Sequence, residues 1–383
     1  MRIQIDGTNT INKGAELMLY AILQEIERRY PAAEVLYNRL GEDSSYIHTN
    51  VNFRTRLFAQ RVIPLFYKFR IPLILRKLSI PCSFFTTKYV VKNIDIVLDA
   101  GGFQFSDQWN YTDYDLLLLR RYYKKLKKQG SKIILLPQAF GPFHTKNGKI
   151  SAEIIGRYVD IIFAREKVSC DYLINAGVDE NKIKLYPDFT ALVEGIVPKQ
   201  YESLQGSVCI IPNMRMIDKG TVSLEQYLSV LCQLIQTIRE KGKDVFLLNH
   251  EGKNDGLLCK FINNSIQKPL VIANNLTALE VKGIISQSYL LISSRFHGVA
   301  SALNSGIPCL ATSWSHKYEE LFKDYGQYDC LLDFNYIEKT LEKVKSYLSK
   351  QRRNEISVQL KLMKISVIEK NKEMWNIIDK IIH

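Results

Sequence analysis

The sequence lacks several features that would assign it to common protein classes. Its seven cysteines are isolated, with no CxxC pair, which argues against a structural zinc site and indicates a reduced protein. The chain starts on a predicted strand rather than a signal peptide, and no uncharged apolar run is long enough to span a bilayer. GxGxxG, GxxxxGK[ST], HExxH and GxSxG motifs are also absent. We therefore expect a cytoplasmic protein that needs no metal and no organic cofactor.

Acidic residues are missing from one stretch of the chain. The 383 residues have a formal net charge of +13, and no Asp or Glu lies between Ser44 and Ile94. Nine basic residues alternate with apolar and aromatic ones there: Arg54, Arg56, Arg61, Lys68, Arg70, Arg76, Lys77, Lys88 and Lys92. This pattern indicates peripheral contact with an anionic membrane through residues 54–77, although a packed insertion with solvated charges fits equally well. No nucleic-acid-binding motif accompanies the charge, so we expect no nucleic acid partner.

Predicted strands and helices alternate along most of the chain, which indicates parallel sheets. A chain of 383 residues is expected to form two α/β domains. We place an N-terminal Rossmann-like domain at 1–195, with the basic insertion at about 50–92. A C-terminal Rossmann-like, donor-binding domain follows at 206–350, and a helical tail at 351–383. The fold class is therefore two Rossmann-like domains with a cleft between them.

The stretch from Leu291 to Pro308 has the strongest chemical signal. It is predicted to form a buried strand, a polar turn with Arg295 and His297, and a helix of small residues starting at Gly298. A helix N-terminus that follows a parallel strand favours anions, because its backbone N–H groups are unpaired and the helix dipole is positive there. A buried cation adds nothing to a core, so we predict that Arg295 and His297 hold and activate an anionic donor.

Ligands of such folds bind at the carboxyl edges of the sheets, so polar residues just after strands are further candidates. They are Asp6, Asn9, Asn12, Lys13, Asp99, Gln104, Gln138, Arg165, Asp188, Asn213, Arg215, His250, Asp255 and His316. Each also has a structural interpretation. Asp99 could hold a turn, Asn213 could cap a loop, and Arg165 could form a surface ion pair.

Six motifs resemble the polysaccharide pyruvyltransferase family, in the family's order. They are Asn12-Lys-Gly-Ala-Glu-Leu-Met18, Asp99-Ala-Gly-Gly102, Pro137-Gln-Ala-Phe-Gly-Pro142, Ala164-Arg-Glu166, Tyr186-Pro-Asp188 and Ser294-Arg-Phe-His-Gly298. The resemblance implies a fold similar to GT-B glycosyltransferases. It also implies transfer of pyruvate from phosphoenolpyruvate to a sugar of a bacterial capsule, exopolysaccharide or other surface glycan, or of its lipid-linked precursor. The product would be a pyruvate ketal, with phosphate released.

This resemblance gives the candidate residues roles. Phosphoenolpyruvate carries a phosphate and a carboxylate, so two guanidinium groups, Arg295 and Arg165, are expected to bind it. His297 is the expected general acid for the methylene carbon, or alternatively a phosphate ligand. Asp99 and His250 are candidates for the base or orienting group at the sugar hydroxyl. The other predicted substrate-binding residues are Asn12, Lys13, Gln138, Asn213, Arg215 and Phe296.

Two other functions remain open from the sequence. One is a GT-B-type glycosyltransferase that uses a nucleotide sugar. The other is a membrane-associated scaffold of a glycan assembly complex that keeps the fold without the chemistry. Release of phosphate from phosphoenolpyruvate in the presence of a galactoside acceptor would distinguish them from the pyruvyltransferase.

Overall fold

A computed structural model describes residues 1–10, 12–37, 52–55, 93–218, 222–312 and 317–382. Most of the basic insertion lies outside these residues, as do His316 and all but the first two residues of the segment 54–77, for which membrane contact is predicted. Contacts between residues divide the chain into two compact units. Unit 1 comprises Met1–Thr10, Met18–Phe189 and Asn371–His383, and unit 2 comprises Ile11–Leu17 and Thr190–Lys370.

Unit 1 contains a seven-stranded parallel sheet in the order β3-β2-β1-β4-β5-β6-β7. Its strands are β1 (Arg2–Asp6), β2 (Glu34–Tyr37), β3 (Asn52–Thr55), β4 (Ile96–Asp99), β5 (Lys132–Gln138), β6 (Ile161–Ala164) and β7 (Ile183–Leu185). The helices that start in this part of the chain are α1 (Lys13–Arg29), α2 (Asp113–Lys128), α3 (Lys146–Tyr158) and α4 (Lys167–Asn175). The strand order reverses between β1 and β4, and such a reversal is where doubly wound sheets usually bind ligands.

Unit 2 contains a six-stranded parallel sheet in the order β10-β9-β8-β11-β12-β13. Its strands are β8 (Val208–Ile211), β9 (Val245–Leu248), β10 (Ile272–Ala273), β11 (Leu290–Ser293), β12 (Cys309–Thr312) and β13 (Leu331–Leu332). The helices are α5 (Arg215–Asp218), α6 (Leu224–Glu240), α7 (Gly252–Asn264), α8 (Ala278–Ser286), α9 (Phe296–Asn304), α10 (Lys317–Asp324), α11 (Ile337–Tyr347) and α12 (Lys350–Ile382). Here the order reverses between β8 and β11.

The local sequence explains these elements. β8 is a continuous apolar run whose four residues are all buried, as expected for a parallel strand covered on both faces. α6 places Tyr227, Leu231 and Leu234 on one buried face at helical spacing. α2 begins with a capping box, in which the side chains of Thr112 and Asp115 satisfy each other's backbone N–H groups. The predicted alternation of strands and helices is therefore confirmed.

Two helices contribute residues to both units. The first turn of α1 groups with unit 2, and its remainder with unit 1. The predicted helical tail corresponds to α12, which groups with unit 2 as far as Lys370 and with unit 1 from Asn371. The change of unit after Phe189 comes earlier than the predicted boundary at 195, and the domain limits remain a prediction.

The C-terminal turns of α12 are attached to the rest of unit 1 by polar contacts. The hydroxyl of Tyr186 donates to Glu373 at 2.8 Å, and the Asn371 amide donates to the backbone oxygen of Asp188 at 3.1 Å. Trp375, two residues after Glu373, is completely buried. Within the described part of the chain, no helix has the length and apolarity needed to cross a membrane.

Candidate active site

Arg295 lies at the junction of β11 and α9, next to the point where the strand order of unit 2 reverses. It is the N-cap residue of α9, with extended backbone angles (φ −108°, ψ 122°). Its backbone N–H donates to the hydroxyl of Ser293 at 3.0 Å, which fixes the turn. The helix begins at Phe296 rather than at Gly298, but the predicted strand, turn and helix are otherwise as expected.

The guanidinium group of Arg295 is held by two carboxylates. Its Nε and Nη2 atoms donate to Oδ2 of Asp255 at 2.9 and 2.6 Å, and Nη1 donates to Oε2 of Glu251. The side chain of Arg295 is 14% exposed, whereas that of Asp255 is completely buried. The sequence predicted an anion-binding cation, but the ion pairs to these two carboxylates were missed.

Burial opposes the ionisation of Asp255. Its second oxygen accepts a hydrogen bond from the backbone N–H of Met214 at 3.2 Å. Burial raises the pKa of the Asp255 carboxyl, and the favourable charge of Arg295 offsets this only in part. The pair is therefore a buried ion pair, in which each member depends on the other.

Asn213, predicted to bind substrate, has a clear structural contact. Its side-chain amide donates to the backbone oxygen of Ser294 at 2.8 Å, and the hydroxyl of Tyr318 donates to the same oxygen at 2.7 Å. The Ser294 hydroxyl is hydrogen-bonded to that of Thr312. Asn213 thus fixes the residue before Arg295. The Arg215 side chain is largely exposed and lies 3.7 Å from Asp218, so its substrate role remains a prediction.

The imidazole of His297 packs against the backbone of Gly14, in the first turn of α1. A Cβ atom added to Gly14 would lie 2.1 Å from His297 Nδ1, so any larger residue here would displace the imidazole. Phe296 packs edge-on against His297 and Tyr318, with ring centroids 5.2 and 5.9 Å away. Phe296 is itself buried, which gives this predicted substrate-binding residue a packing role as well.

His250 follows β9 and is buried in the same part of unit 2. Burial lowers its pKa well below the ordinary value, and the charges of Arg295, His297 and Lys13 lower it further. Within the described residues, its Nδ1 atom has no hydrogen-bond partner. The imidazole is therefore neutral, and the cations around it oppose uptake of a proton. This favours an orienting role over that of a base.

Asn12 and Lys13 form the start of α1. The side-chain oxygen of Asn12 accepts hydrogen bonds from the backbone N–H groups of Gly14 and Ala15, at 2.9 and 3.1 Å. Asn12 is thus a helix cap. The ammonium group of Lys13 lies 2.6 Å from the buried carboxylate of Glu16 and also acts on His250 electrostatically. Lys13, Arg295 and His297 therefore all act electrostatically on His250.

The other predicted residues lie at the carboxyl edge of the sheet in unit 1. Asp6 and Asp99 are register partners on β1 and β4, and both are buried. Asp99 accepts hydrogen bonds from the Gln104 amide at 2.6 Å and the Gly101 backbone at 3.1 Å. A Cβ atom on Gly7, which has a φ of +78°, would lie 2.6 Å from Asp99 Oδ1. The turn-holding interpretation of Asp99 therefore has direct contacts in its favour.

Gln138 and Arg165 continue this edge on β5 and after β6. Gln138 is completely buried, and neither atom of its side-chain amide has a hydrogen-bond partner in the described ranges. The buried guanidinium of Arg165 lies 3.5 Å from the carboxylates of both Glu166 and Asp188. Arg165 belongs to unit 1 and Arg295 to unit 2, and a joint action of the two on one donor remains a prediction. The described side chains include no group of three or more His, Cys, Asp or Glu suited to a metal ion.

Comparison with known families agrees with this set of motifs. Residues 12–316 match the model of the family described as Polysaccharide pyruvyl transferase. The chain belongs to this family. The match includes both the Arg295–His297 turn and the first turn of α1, so the predicted family is confirmed.

A curated relative is the amylovoran biosynthesis protein AmsJ of Erwinia amylovora. The two are 21% identical over 263 residues, which are 63% of this chain, and the chain spans 61% of that relative's length. That relative acts in amylovoran biosynthesis.

Solved structures resemble this chain in fold. S. aureus MnaA with UDP has a TM-score of 0.59 at 11% identity, covering 98% of this chain and 96% of that one. Anabaena Alr3699/HepE with UDP-glucose has a TM-score of 0.59 at 11% identity, and the match covers 99% of this chain and 100% of that one. The UDP-GlcNAc 2-epimerase of Methanocaldococcus jannaschii has a TM-score of 0.55 at 13% identity, and the match covers 92% of this chain and 94% of that one. These GT-B structures confirm the predicted fold class, and identities this low show the fold alone.

Proposed function

We propose that this pyruvyl transferase moves pyruvate from phosphoenolpyruvate to a sugar of a surface glycan or of its lipid-linked precursor. The observation that carries the proposal is the position of Arg295 and His297 at the N-terminus of α9, where both, like Lys13, act electrostatically on the buried His250. Cations and helix N–H groups at one point favour a ligand with more than one negative charge. Phosphoenolpyruvate, with its phosphate and carboxylate, is such a ligand.

The reaction requires one proton to reach the methylene carbon of the donor. Two sugar oxygens form bonds to the donor's C2 atom, and the bond from C2 to the phosphate oxygen breaks. One hydroxyl proton restores the acid that protonated the methylene carbon, and the other hydroxyl proton leaves with the phosphate. His297 is the proposed acid, because imidazole exchanges protons near neutral pH and Gly14 fixes its ring. Binding of the phosphate is the other role open to it.

For the acceptor, Asp99 and His250 remain the proposed base or orienting groups. The contacts of Asp99 with Gln104 and Gly101 and the neutral state of His250 both favour orientation over proton transfer. The acceptor's diol would then release its protons to His297 and to the departing phosphate.

The test is phosphate release from phosphoenolpyruvate with lipid-linked and synthetic galactosides that carry a free diol. We expect release only with acceptor present, and a ketal in the product by NMR. Replacement of His297 by Asn should reduce turnover by about 10²–10⁴-fold, the usual contribution of a positioned general acid. Near-normal turnover in that variant would contradict the acid role.

A glycosyltransferase that uses a nucleotide sugar is the second candidate, since MnaA and Alr3699/HepE were solved with UDP and UDP-glucose. Hydrolysis or transfer with UDP-galactose, without phosphate release from phosphoenolpyruvate, would favour it.

We also propose peripheral attachment to the inner face of the cytoplasmic membrane through residues 54–77. Charge-reversing Glu substitutions there should abolish flotation with anionic liposomes, and unchanged flotation would rule the attachment out.

A further inference from the structure

The hydrogen bonds of Arg295 leave only part of its guanidinium group open to a ligand. A guanidinium carries five N–H groups. Asp255 accepts from Nε and Nη2, and Glu251 accepts from Nη1. One N–H group on each terminal nitrogen is left, so a bidentate phosphate or carboxylate competes with Glu251 for the same end of the group.

The two carboxylates are held very differently. Asp255 is completely buried in the first turn of α7, and the backbone of Met214 holds its second oxygen. Glu251 is 28% exposed and is the N-cap residue of α7, yet its side chain makes no capping hydrogen bond. Among the described residues, Arg295 is the hydrogen-bond partner of the Glu251 carboxylate.

The backbone beside Glu251 has room to change. Gly252 follows it with a φ of +62°, and a Cβ atom placed there would meet nothing within 4 Å. A carboxylate that is partly exposed, next to an uncrowded glycine, can leave its partner with little rearrangement. Asp255 cannot do so, because its departure would leave a buried charge without compensation.

From this asymmetry we infer that Asp255 is a positioning residue that fixes Arg295, and that Glu251 is an exchangeable counter-ion that the donor displaces. The inference rests on the proposed function, since it concerns the same anion site. Before the donor binds, Glu251 reduces the net charge around Arg295. An incoming anion must bind more strongly than one carboxylate, so the site discriminates against monoanions such as pyruvate and acetate and accepts multiply charged phosphates.

The experiment compares Glu251→Gln with the wild-type full-length protein by calorimetric titration of phosphoenolpyruvate, inorganic phosphate and acetate. Glutamine keeps the size of the side chain and removes its charge. We expect the dissociation constants for phosphoenolpyruvate and phosphate to fall about tenfold, because no charge-assisted hydrogen bond must be broken. Acetate should gain measurable binding. The matched control is Glu225→Gln, which removes an exposed charge from the first turn of α6 in the same unit and should bind like the wild type.

Asp255→Asn tests the positioning role by separate readouts. We expect weaker binding of both phosphates by at least tenfold, together with a higher KM for phosphoenolpyruvate and a smaller change in kcat. Glu251 is partly exposed, so the Gln variant folds even where the Asn variant proves unstable, and the counter-ion role is judged on it alone.

The outcomes separate this inference from the proposed function. Unchanged or weaker binding of both phosphates by Glu251→Gln overturns the inference, even where pyruvyl transfer is observed. Phosphate binding that tightens in Glu251→Gln without any pyruvyl transfer supports the inference and contradicts the function. Failure of both proteins to bind either phosphate overturns both.

Discussion

The six strands of the sheet in unit 2 repeat the order of the first six strands in unit 1, but the two sheets carry opposite charges at equivalent places. In unit 1 the strand order reverses between β1 and β4, whose ends carry the buried carboxylates of Asp6 and Asp99. In unit 2 it reverses between β8 and β11, and the cationic Arg295 follows β11. The doubly wound fold therefore provides a place for a ligand, and the residues at that place determine which ligand it is.

Asp6 and Arg295 also differ in how their charges are compensated. The hydroxyl of Tyr122 and the amide of Gln4 donate to Asp6, so neutral donors satisfy this carboxylate. Arg295 is instead compensated by full charges on Asp255 and Glu251. Neutral partners make a durable structural contact, whereas the exposed member of an ion pair can be exchanged for a ligand.

The largest effect is expected from removal of Arg295, the cation that follows β11. Replacement of Arg295 by Ala should abolish phosphoenolpyruvate binding and lower the free energy of unfolding by about 3–5 kcal/mol, because Asp255 is then buried without a partner. Urea denaturation and calorimetric titration measure the two losses. The double variant with Asp255→Ala should recover much of the stability and none of the binding. A double variant no more stable than the single one would contradict this account of the pair.

A second prediction displaces the imidazole at the same edge. Gly14→Ala places a Cβ atom 2.1 Å from the present position of His297 Nδ1, so the ring must move. We expect kcat to fall about 10²-fold, as for other small displacements of a catalytic group. Gly156→Ala is the control. Gly156 lies in α3 of unit 1, and its added Cβ atom would lie 3.3 Å from Val178. Equal kcat values for the two variants would separate His297 from the chemistry.

A third prediction uses pH to probe the positive surroundings of His250. Its pKa is lowered in the folded state, so on acidification the unfolded chain takes up a proton near the ordinary value of about 6.5 and the folded chain does not. Stability should therefore fall with pH below about 6.5, by up to about 1.4 kcal/mol per pH unit from this group. His250→Gln should remove that part of the slope in urea melts, and His144→Asn, which removes an exposed imidazole, is the control. An unchanged slope in His250→Gln would be the contrary result.

The smallest effect on stability is expected for Gln138, at the carboxyl edge of the sheet in unit 1. Replacement of the unpartnered Gln138 by Met should leave the melting temperature unchanged or raise it, because no hydrogen bond within the described residues is lost. Gln4→Met is the matched comparison and should cost about 1–3 kcal/mol, since Asp6 loses a donor. Lower activity of Gln138→Met at full stability would show that its amide serves a ligand. Equal destabilisation by both substitutions would refute the distinction.

The elements and their order could be predicted from the sequence because the information is local. Apolar runs, helical spacing and polar turns gave the strands, the helices and the position of Arg295 between β11 and α9. Asp99, Gln138 and Arg165 were placed at a sheet edge for the same reason, since each directly follows or ends a strand.

The partners of these residues could not be predicted, because they come from distant parts of the chain. Asp255 and Glu251 lie 40 and 44 positions from Arg295, and Gly14 reaches His297 only through the tertiary fold. The weak signal for the first two was their spacing of four residues at the start of one helix. Asn213 followed a strand like a ligand-binding residue, yet its amide holds the backbone of Ser294.

The first turn of α1 has a consequence for dividing the protein. Lys13 and Gly14 belong by contact to unit 2, although almost all of that unit comes from Thr190–Lys370. A fragment made of Thr190–Lys370 alone would therefore lack the surface on which His297 rests and one of the charges around His250. Exchange of C-terminal halves between family members would transfer the cationic turn without its support, unless the N-terminal segment were exchanged with it.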